Sequence, residues 1–274
     1  MRKRLRIVFA ILFVAVLGLL VRQMLQPHKP SDPVYQGRPL RVWLRGFTDD
    51  KIMNSDQDRD KIYEAVRLIG TNAIPTLLQM LRARDSALKL KLIALARKQR
   101  FVQFQHTPSA AELNVEAGLG FQALRANGKD AVPSLIQIYE QNPFPTVQHA
   151  IVMALGSIGP GARKAIPLLI TATTNSDSAL RNNAVFALGQ IHAEPDAVVP
   201  VLINCLHDPY GGVRLNAADA LGTFGPAAKS ALPELVRLLN DDSHIGPQSS
   251  VGTSVKNAIQ QINSEPAVRA GRNN

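Results

Sequence analysis

The sequence predicts an all-α protein: a solenoid of stacked antiparallel helix pairs behind one N-terminal transmembrane helix. Three observations predict it. An Ala-x-Pro element or a close relative recurs at Ala73, Ala131, Ala165, Val198 and Ala231, and the prolines stand at 75, 133, 167, 200 and 233. A second element, Met-Ala-Leu-Gly at 153–156, returns as Phe-Ala-Leu-Gly at 186–189 and Asp-Ala-Leu-Gly at 219–222. Ahead of both, a basic Met-Arg-Lys-Arg-Leu-Arg is followed by an unbroken apolar run from Ile7 to Val21.

That N-terminal run is an export signal in composition. The span from Leu5 to Leu25, with Arg6 and Arg22 reaching toward head groups, has 21 residues, about the number a helix needs to cross a hydrocarbon layer. After Val21 the chain reads Arg-Gln-Met-Leu-Gln, without the small residues of a cleavage site, so retention as an anchor is favoured over a cleaved secretory signal. The basic flank places the N-terminus in the cytoplasm and the rest outside the inner membrane. Residues 1–25 are therefore read as basic stub and anchor. Residues 26–37, with Pro27, Pro30, Pro33 and Gly37, read as a linker.

The array is expected over 38–263, with a disordered tail at 264–274. Trp43, in Pro39-Leu40-Arg41-Val42-Trp43-Leu44, is expected to seal the first helical layer. Two residues after each proline comes Leu77, Leu135, Leu169, Leu202 or Leu235; five after come Met80, Ile138, Ala172, Cys205 and Leu238. Such columns mark one face of a helix opened by proline, whose missing N–H costs nothing there. In the second helix of each pair, Ala154, Ala187 and Ala220 form a small column beside Leu155, Leu188 and Leu221. Gly70, Gly128, Gly159 and Gly225 fall where a left-handed carboxyl cap is expected. Neither helix can bury its stripe alone, so neighbouring pairs must share one core. Lys61 to Ile69 reads as a lone second helix, 99–110 as an insertion loop, and Glu112 to Ala126 as a further helix.

From Asp60 to Ile262 the chain resembles HEAT-like repeats of the short type found in phycobilin lyase-related proteins. The resemblance rests on Ala165-Ile166-Pro167-Leu168-Leu169, Asp177, Leu180-Arg181 and Ala187-Leu188-Gly189-Gln190-Ile191, with Val213-Arg214 and Ala220-Leu221-Gly222 one period later. Gln148 takes the place of Arg181 and Arg214 in an earlier unit, and Gly252 in the last. Neither the ankyrin Thr-Pro-Leu-His nor the tetratricopeptide aromatic pattern occurs.

Charge and chemistry narrow the function. The net charge of +10 is local: residues 1–30 hold six basic residues and no acid, and 82–100 hold seven basic residues and Asp85. Residues 101–268 carry nine basic and thirteen acidic residues, which argues against a nucleic-acid footprint along the array. Arg82, Arg84, Lys89, Lys91, Arg97, Lys98 and Arg100 are candidates for contact with anionic lipid, against the plain alternative of a solvated helix face. No His-Glu pair, like those that hold iron in HEAT-like hydroxylases, is present, and the single thiol, Cys205, sits in a packing column. Catalytic residues, metal ligands, cofactors and a small-molecule substrate are therefore not expected. The expected function is a membrane-anchored, non-catalytic interaction scaffold. It would hold a protein or peptide on the concave, second-helix face through Gln148, His149, Arg181, Asn182, Arg214 and Asn216. The same polar columns have a structural reading, in which Asp177, Asp208 and the arginines tie adjacent units. A lyase- or hydroxylase-like enzyme with an unrecognised site and a basic-patch nucleic-acid binder are the alternatives.

Overall fold

The computed structural model describes residues 32–48, 56–86, 91, 108–240 and 250–264. The anchor, most of the linker, Lys89, Arg97, Lys98, Arg100 and the tail lie outside the described residues. The unit beginning at Pro33 is built of α-helices in the order expected. After α1 (Leu40–Arg45) and α2 (Asp56–Ile69) come α3 (Ile74–Leu81), α4 (Ala110–Leu124), α5 (Val132–Glu140) and α6 (Pro145–Ile158). The remaining helices are α7 (Ile166–Ala172), α8 (Ser178–Ile191), α9 (Pro195–Cys205), α10 (Gly211–Phe224), α11 (Leu232–Asn240) and α12 (Ser250–Asn263).

The odd-numbered helices from α3 onward are first helices, and the even-numbered ones are second helices. Pro75, Pro133 and Pro167 stand in the opening turns of α3, α5 and α7, where a missing N–H breaks no helical bond. Pro200 departs from that expectation: α9 begins at Pro195 and Pro200 lies inside it. A 3₁₀ segment precedes α3, α5, α7 and α11, whereas α8 ends at Ile191 and only three residues separate it from Pro195. The proline at 195 opens the helix early. Pro200 and Asp196, whose carbonyl it leaves without a helical donor, are both exposed.

One element was not legible in the sequence pattern. Val34–Tyr35 and Arg38–Pro39 pair as a two-residue antiparallel hairpin, closed by Gln36 and Gly37, both at positive φ, 49° and 72°, as a type I′ turn requires. It supports Trp43: the indole N–H donates to the Tyr35 carbonyl at 3.2 Å, and the Arg38 guanidinium lies 5.2 Å from the ring centroid. Trp43 is thus a packing residue of the first layer. Ser109 opens α4 with a capping box, its hydroxyl accepting from the Glu112 N–H while Glu112 accepts from the Ser109 N–H.

The core is continuous from Leu40 to Ile262, and the helix layer that binds it most closely is the second one. Successive second helices α4, α6, α8, α10 and α12 pack directly on one another, while neighbouring first helices touch far more sparsely. The reason is a column of glycines laid on a column of alanines. A Cβ added at Gly118 would stand 2.9 Å from the Ala150 Cβ, at Gly156 3.1 Å from that of Ala187, and at Gly189 2.9 Å from that of Ala220. At Gly222 it would meet the Ala258 Cα at 3.1 Å. No side chain can enter these contacts without moving a helix.

The caps differ from expectation at two points. Gly128 is not a cap: it lies buried against Ile158, in the 3₁₀ segment after α4. The capping position of α4 is filled by Arg125, at φ 50° and ψ −133°. Gly159 and Gly225, at φ 70°, ψ −138° and φ 54°, ψ −134°, share its conformation, which is not the left-handed helical one. Only His192, at φ 48° and ψ 51°, is a left-handed cap among these.

Gly189→Val should cost about 1–3 kcal/mol by overpacking the seam between α8 and α10, read as a lowered thermal midpoint by circular dichroism. An unchanged midpoint would mean that the two helices are free to separate.

Candidate functional site

The polar columns of the second helices gather at the N-terminal ends of those helices. Asp177 precedes α8 and accepts from the N–H groups of Ala179 at 2.9 Å and Leu180 at 3.4 Å. Its other oxygen meets His149 Nε2, from the preceding second helix, at 2.8 Å. Asn183 Nδ2 lies 3.1 Å from His149 Nδ1; with the amide donating there, Nε2 carries the proton offered to Asp177. The same device repeats one unit on. Arg181 grips Asp208 bidentately, Nε to Oδ2 at 2.7 Å and Nη2 to Oδ1 at 2.8 Å. Its Nη1 donates to the carbonyls of Asn175 and Ser176. Arg214 donates to the carbonyls of Asp208 and Pro209 at 2.7 and 3.1 Å, and Asn216 donates to the Asn182 side-chain oxygen at 3.0 Å.

The His149–Asp177, Asn183–His149, Arg181–Asp208 and Asn216–Asn182 bonds cross from unit to unit, while Arg214 braces the turn of its own unit. Side-chain exposure is 13% for Arg181 and 9% for Asp208, so the pair is largely removed from water, and its guanidinium is spent inside the chain. Of the two readings of the polar columns, inter-unit tying is the one these bonds carry for His149, Arg181, Asn182 and Asn216, while Arg214 holds the turn that presents Asp208. Gln148 is different: it is half-buried and lines a cleft with Tyr139, Asn142, Leu168 and Thr171. Of the basic cluster, Arg82 and Arg84 are exposed after α3 and Lys91 is exposed, and Arg84 lies over the Phe144 ring at 5.2 Å.

The ties set charge states. The Arg181 guanidinium holds the Asp208 carboxyl below the usual carboxylate range, and the His149 bond, helped by the N–H of Ala179, does the same for Asp177. Burial pushes the Cys205 thiol up to about 11, so at neutral pH it is a protonated packing group. Burial also raises the pKa of Glu116, which accepts from the Thr48 hydroxyl at 3.1 Å. Among the described residues no group of three or more His, Cys, Asp and Glu side chains is placed to hold a metal ion.

At the opposite, C-terminal ends of the second helices, the surface opens. A groove of about 650 Å³ crosses four of them, α2, α4, α6 and α8. Its lower row is Arg67, Arg125, Ser157 and Gln190; about one helical turn higher stand Tyr63, Gln122 and Phe186, with Gly156 next to Ser157. The floor is low because Gly156 has no side chain and sits on Ala187. Phe186 is 37% exposed although it belongs to a well-packed helix, and Tyr63 is held edge-on by Phe47 at 5.2 Å between centroids. The sequence reading missed this groove. Its one advance sign was the column Met153, Phe186, Asp219, in which a large aromatic faces outward.

A model of HEAT repeats matches residues 132–210 and 172–256. Over those residues the array is similar to HEAT repeats. No curated protein matches the chain. Among solved structures, an engineered protein is similar at 18% identity over 83% of this chain and 100% of its own, with TM-score 0.45. A designed armadillo repeat protein in complex with the peptide (KR)4 is similar at 14% identity, covering 82% and 99%, with TM-score 0.46. The complex of CpcE and CpcF of phycocyanin lyase from Nostoc is similar at 20% identity, covering 86% and 100%, with TM-score 0.29. The likeness to HEAT repeats rests on the matched residues and on the paired, stacked helices.

Asp208 and Asp177 are carboxylates whose folded pKa lies below the unfolded one. The stability they contribute is present above the ordinary carboxylate range and is lost as pH falls through about 4 and below. Asp208→Asn should lower the midpoint at pH 7 and flatten its acid dependence. Arg181→Met, which strands a largely buried carboxylate, should cost about 3 kcal/mol. Thermal melts from pH 7 to 2.5 check both, and an unaltered acid slope in Asp208→Asn contradicts the tie.

Proposed function

We propose that this chain is a non-catalytic interaction scaffold that takes a protein or peptide partner across the exposed face of its second helices, tethered to a membrane by residues 1–25. The observation that carries the reading is the groove over α2, α4, α6 and α8, open to solvent and lined by aromatic, amide and guanidinium side chains. Its residues come from four separate repeat units, the arrangement an extended ligand fits and a compact substrate does not. At the N-terminal ends of α6 and α8, His149, Arg181 and Asn183 are engaged in inter-unit bonds, whereas Arg67 and Arg125 of the groove have no such partner among the described residues. Cys205, protonated and packed, and the tie carboxylates, ion-paired with their neighbours, support a role in binding rather than in bond-making.

The tether rests on the sequence: basic residues before an apolar run, and no small-residue cleavage site after it. Among the described residues no helix is long and apolar enough to cross a membrane, and residues 1–31 are outside them.

A photo-crosslinking amino acid placed at Phe186 should capture the partner in intact cells, and the same group at Val236, 46% exposed on the first helix α11, should not. Capture only from Val236 would move the binding surface to the first helices. Intact-mass analysis of the membrane fraction should return the full chain; loss of about the first 25 residues would replace the anchor with a cleaved signal.

A further inference from the structure

Arg125 occupies a place that other units give to glycine. The helix ends at Ile69, Ile158 and Phe224 are followed by Gly70, Gly159 and Gly225, all at positive φ. Arg125, after Leu124, adopts φ 50° and ψ −133°, within a few degrees in ψ of Gly159 and Gly225. For a residue with a Cβ this is a strained conformation, held only when the surroundings or a function demand it. Its guanidinium is exposed and, among the described residues, makes no ion pair or side-chain hydrogen bond. The same holds for Arg67, one helix away on the same rim of the groove. A cation in a last helical turn complements the helix dipole, and that accounts for Arg67. It does not account for an arginine that takes a glycine's backbone to be there.

The two rims differ in chemistry. The lower rim offers Arg67 and Arg125, opposed in the groove by the single carboxylate of Asp60, also unpaired among the described residues. The upper rim offers the rings of Tyr63 and Phe186, and the amides of Gln122 and Gln190 stand between and beside them. An extended peptide turns alternate side chains to opposite sides, and its backbone N–H and C=O groups seek amide partners. Three steps between packed helices, at about 8–10 Å each, span about eight extended residues.

We propose that the groove selects an acidic segment of extended peptide, alternating carboxylate and apolar side chains, with Arg125 and Arg67 as its carboxylate anchors and Tyr63 and Phe186 as its apolar seats. This rests on the reading of the second-helix face as a peptide-binding surface. Both arginines match carboxylates in the bidentate geometry that lysine lacks.

The test uses fluorescein-labelled (Glu-Leu)4, (Gln-Leu)4 and (Lys-Leu)4 peptides and fluorescence anisotropy with the full chain in detergent. The expected result is saturable binding of (Glu-Leu)4, at least tenfold tighter than (Gln-Leu)4 and weakened by salt, with no binding of (Lys-Leu)4. Arg125→Gly should lose about tenfold in affinity while its thermal midpoint rises by about 2–4 °C through relief of strain, which separates lost binding from lost fold. Arg67→Gln should lose affinity comparably. Equal binding of the three peptides, a preference for (Lys-Leu)4, or an Arg125→Gly variant that binds as the wild type does would overturn the acidic selection and leave the peptide surface standing. Binding of none of the three would overturn both.

Discussion

Each two-helix unit carries more apolar surface than its own partner helix can cover, and the excess is covered only by the unit that follows. The contact that permits this is small. A glycine on one second helix rests on an alanine of the next at Gly118 and Ala150, Gly156 and Ala187, Gly189 and Ala220, and Gly222 and Ala258. Larger side chains there would push the second helices apart and open the buried leucine columns behind them to water. The tight layer, the sparse first-helix layer and the shallow floor of the groove all descend from that one allowance of space.

Polar chemistry is divided along the second helices by the same geometry. At their N-terminal ends the turns between paired helices come close enough for a side chain of one unit to reach the capping carboxylate of the next, so His149 finds Asp177 and Arg181 finds Asp208. At their C-terminal ends Arg67 and Arg125 form no ion pair with a carboxylate among the described residues. Both ends carry inter-unit bonds, Arg163 to Glu194 and His192 to the Thr223 carbonyl at the C-terminal one, but there Arg67 and Arg125 stay unengaged among the described residues. A repeat protein needs both: fixed spacing between units, and a surface whose groups are not already used.

Much of the architecture was legible because it repeats. Columns of leucine, alanine and proline at a constant period report helices and their buried faces directly, and the expected pairs from Pro133 to Ile191 match the structure closely. Departures came where a unit breaks its own pattern for a local reason. Pro200 falls inside α9 because no 3₁₀ segment precedes that helix and Pro195 opens it instead. Glycine's usual place at a cap points to Gly128, whereas the strained position falls to Arg125, a residue no period predicts. The hairpin at 34–39 is too short to alternate. As for the site, the aspartates and arginines were visible in sequence, but a column states only that residues share a height, not whether they face water or the neighbouring turn. The groove was illegible for the complementary reason: Tyr63, Arg125, Gly156 and Phe186 belong to four units and share no spacing.

The nearest-neighbour character of the array is tested most directly by native-state hydrogen exchange on an Ala220→Leu variant, which wedges the α8–α10 seam. Protection should fall in α8 and α10 and stay near wild type in α2 and α4, as expected when each unit is coupled only to the next. An even loss of protection from α2 through α12 would contradict the account, because it would show one indivisible core in place of a chain of shared seams.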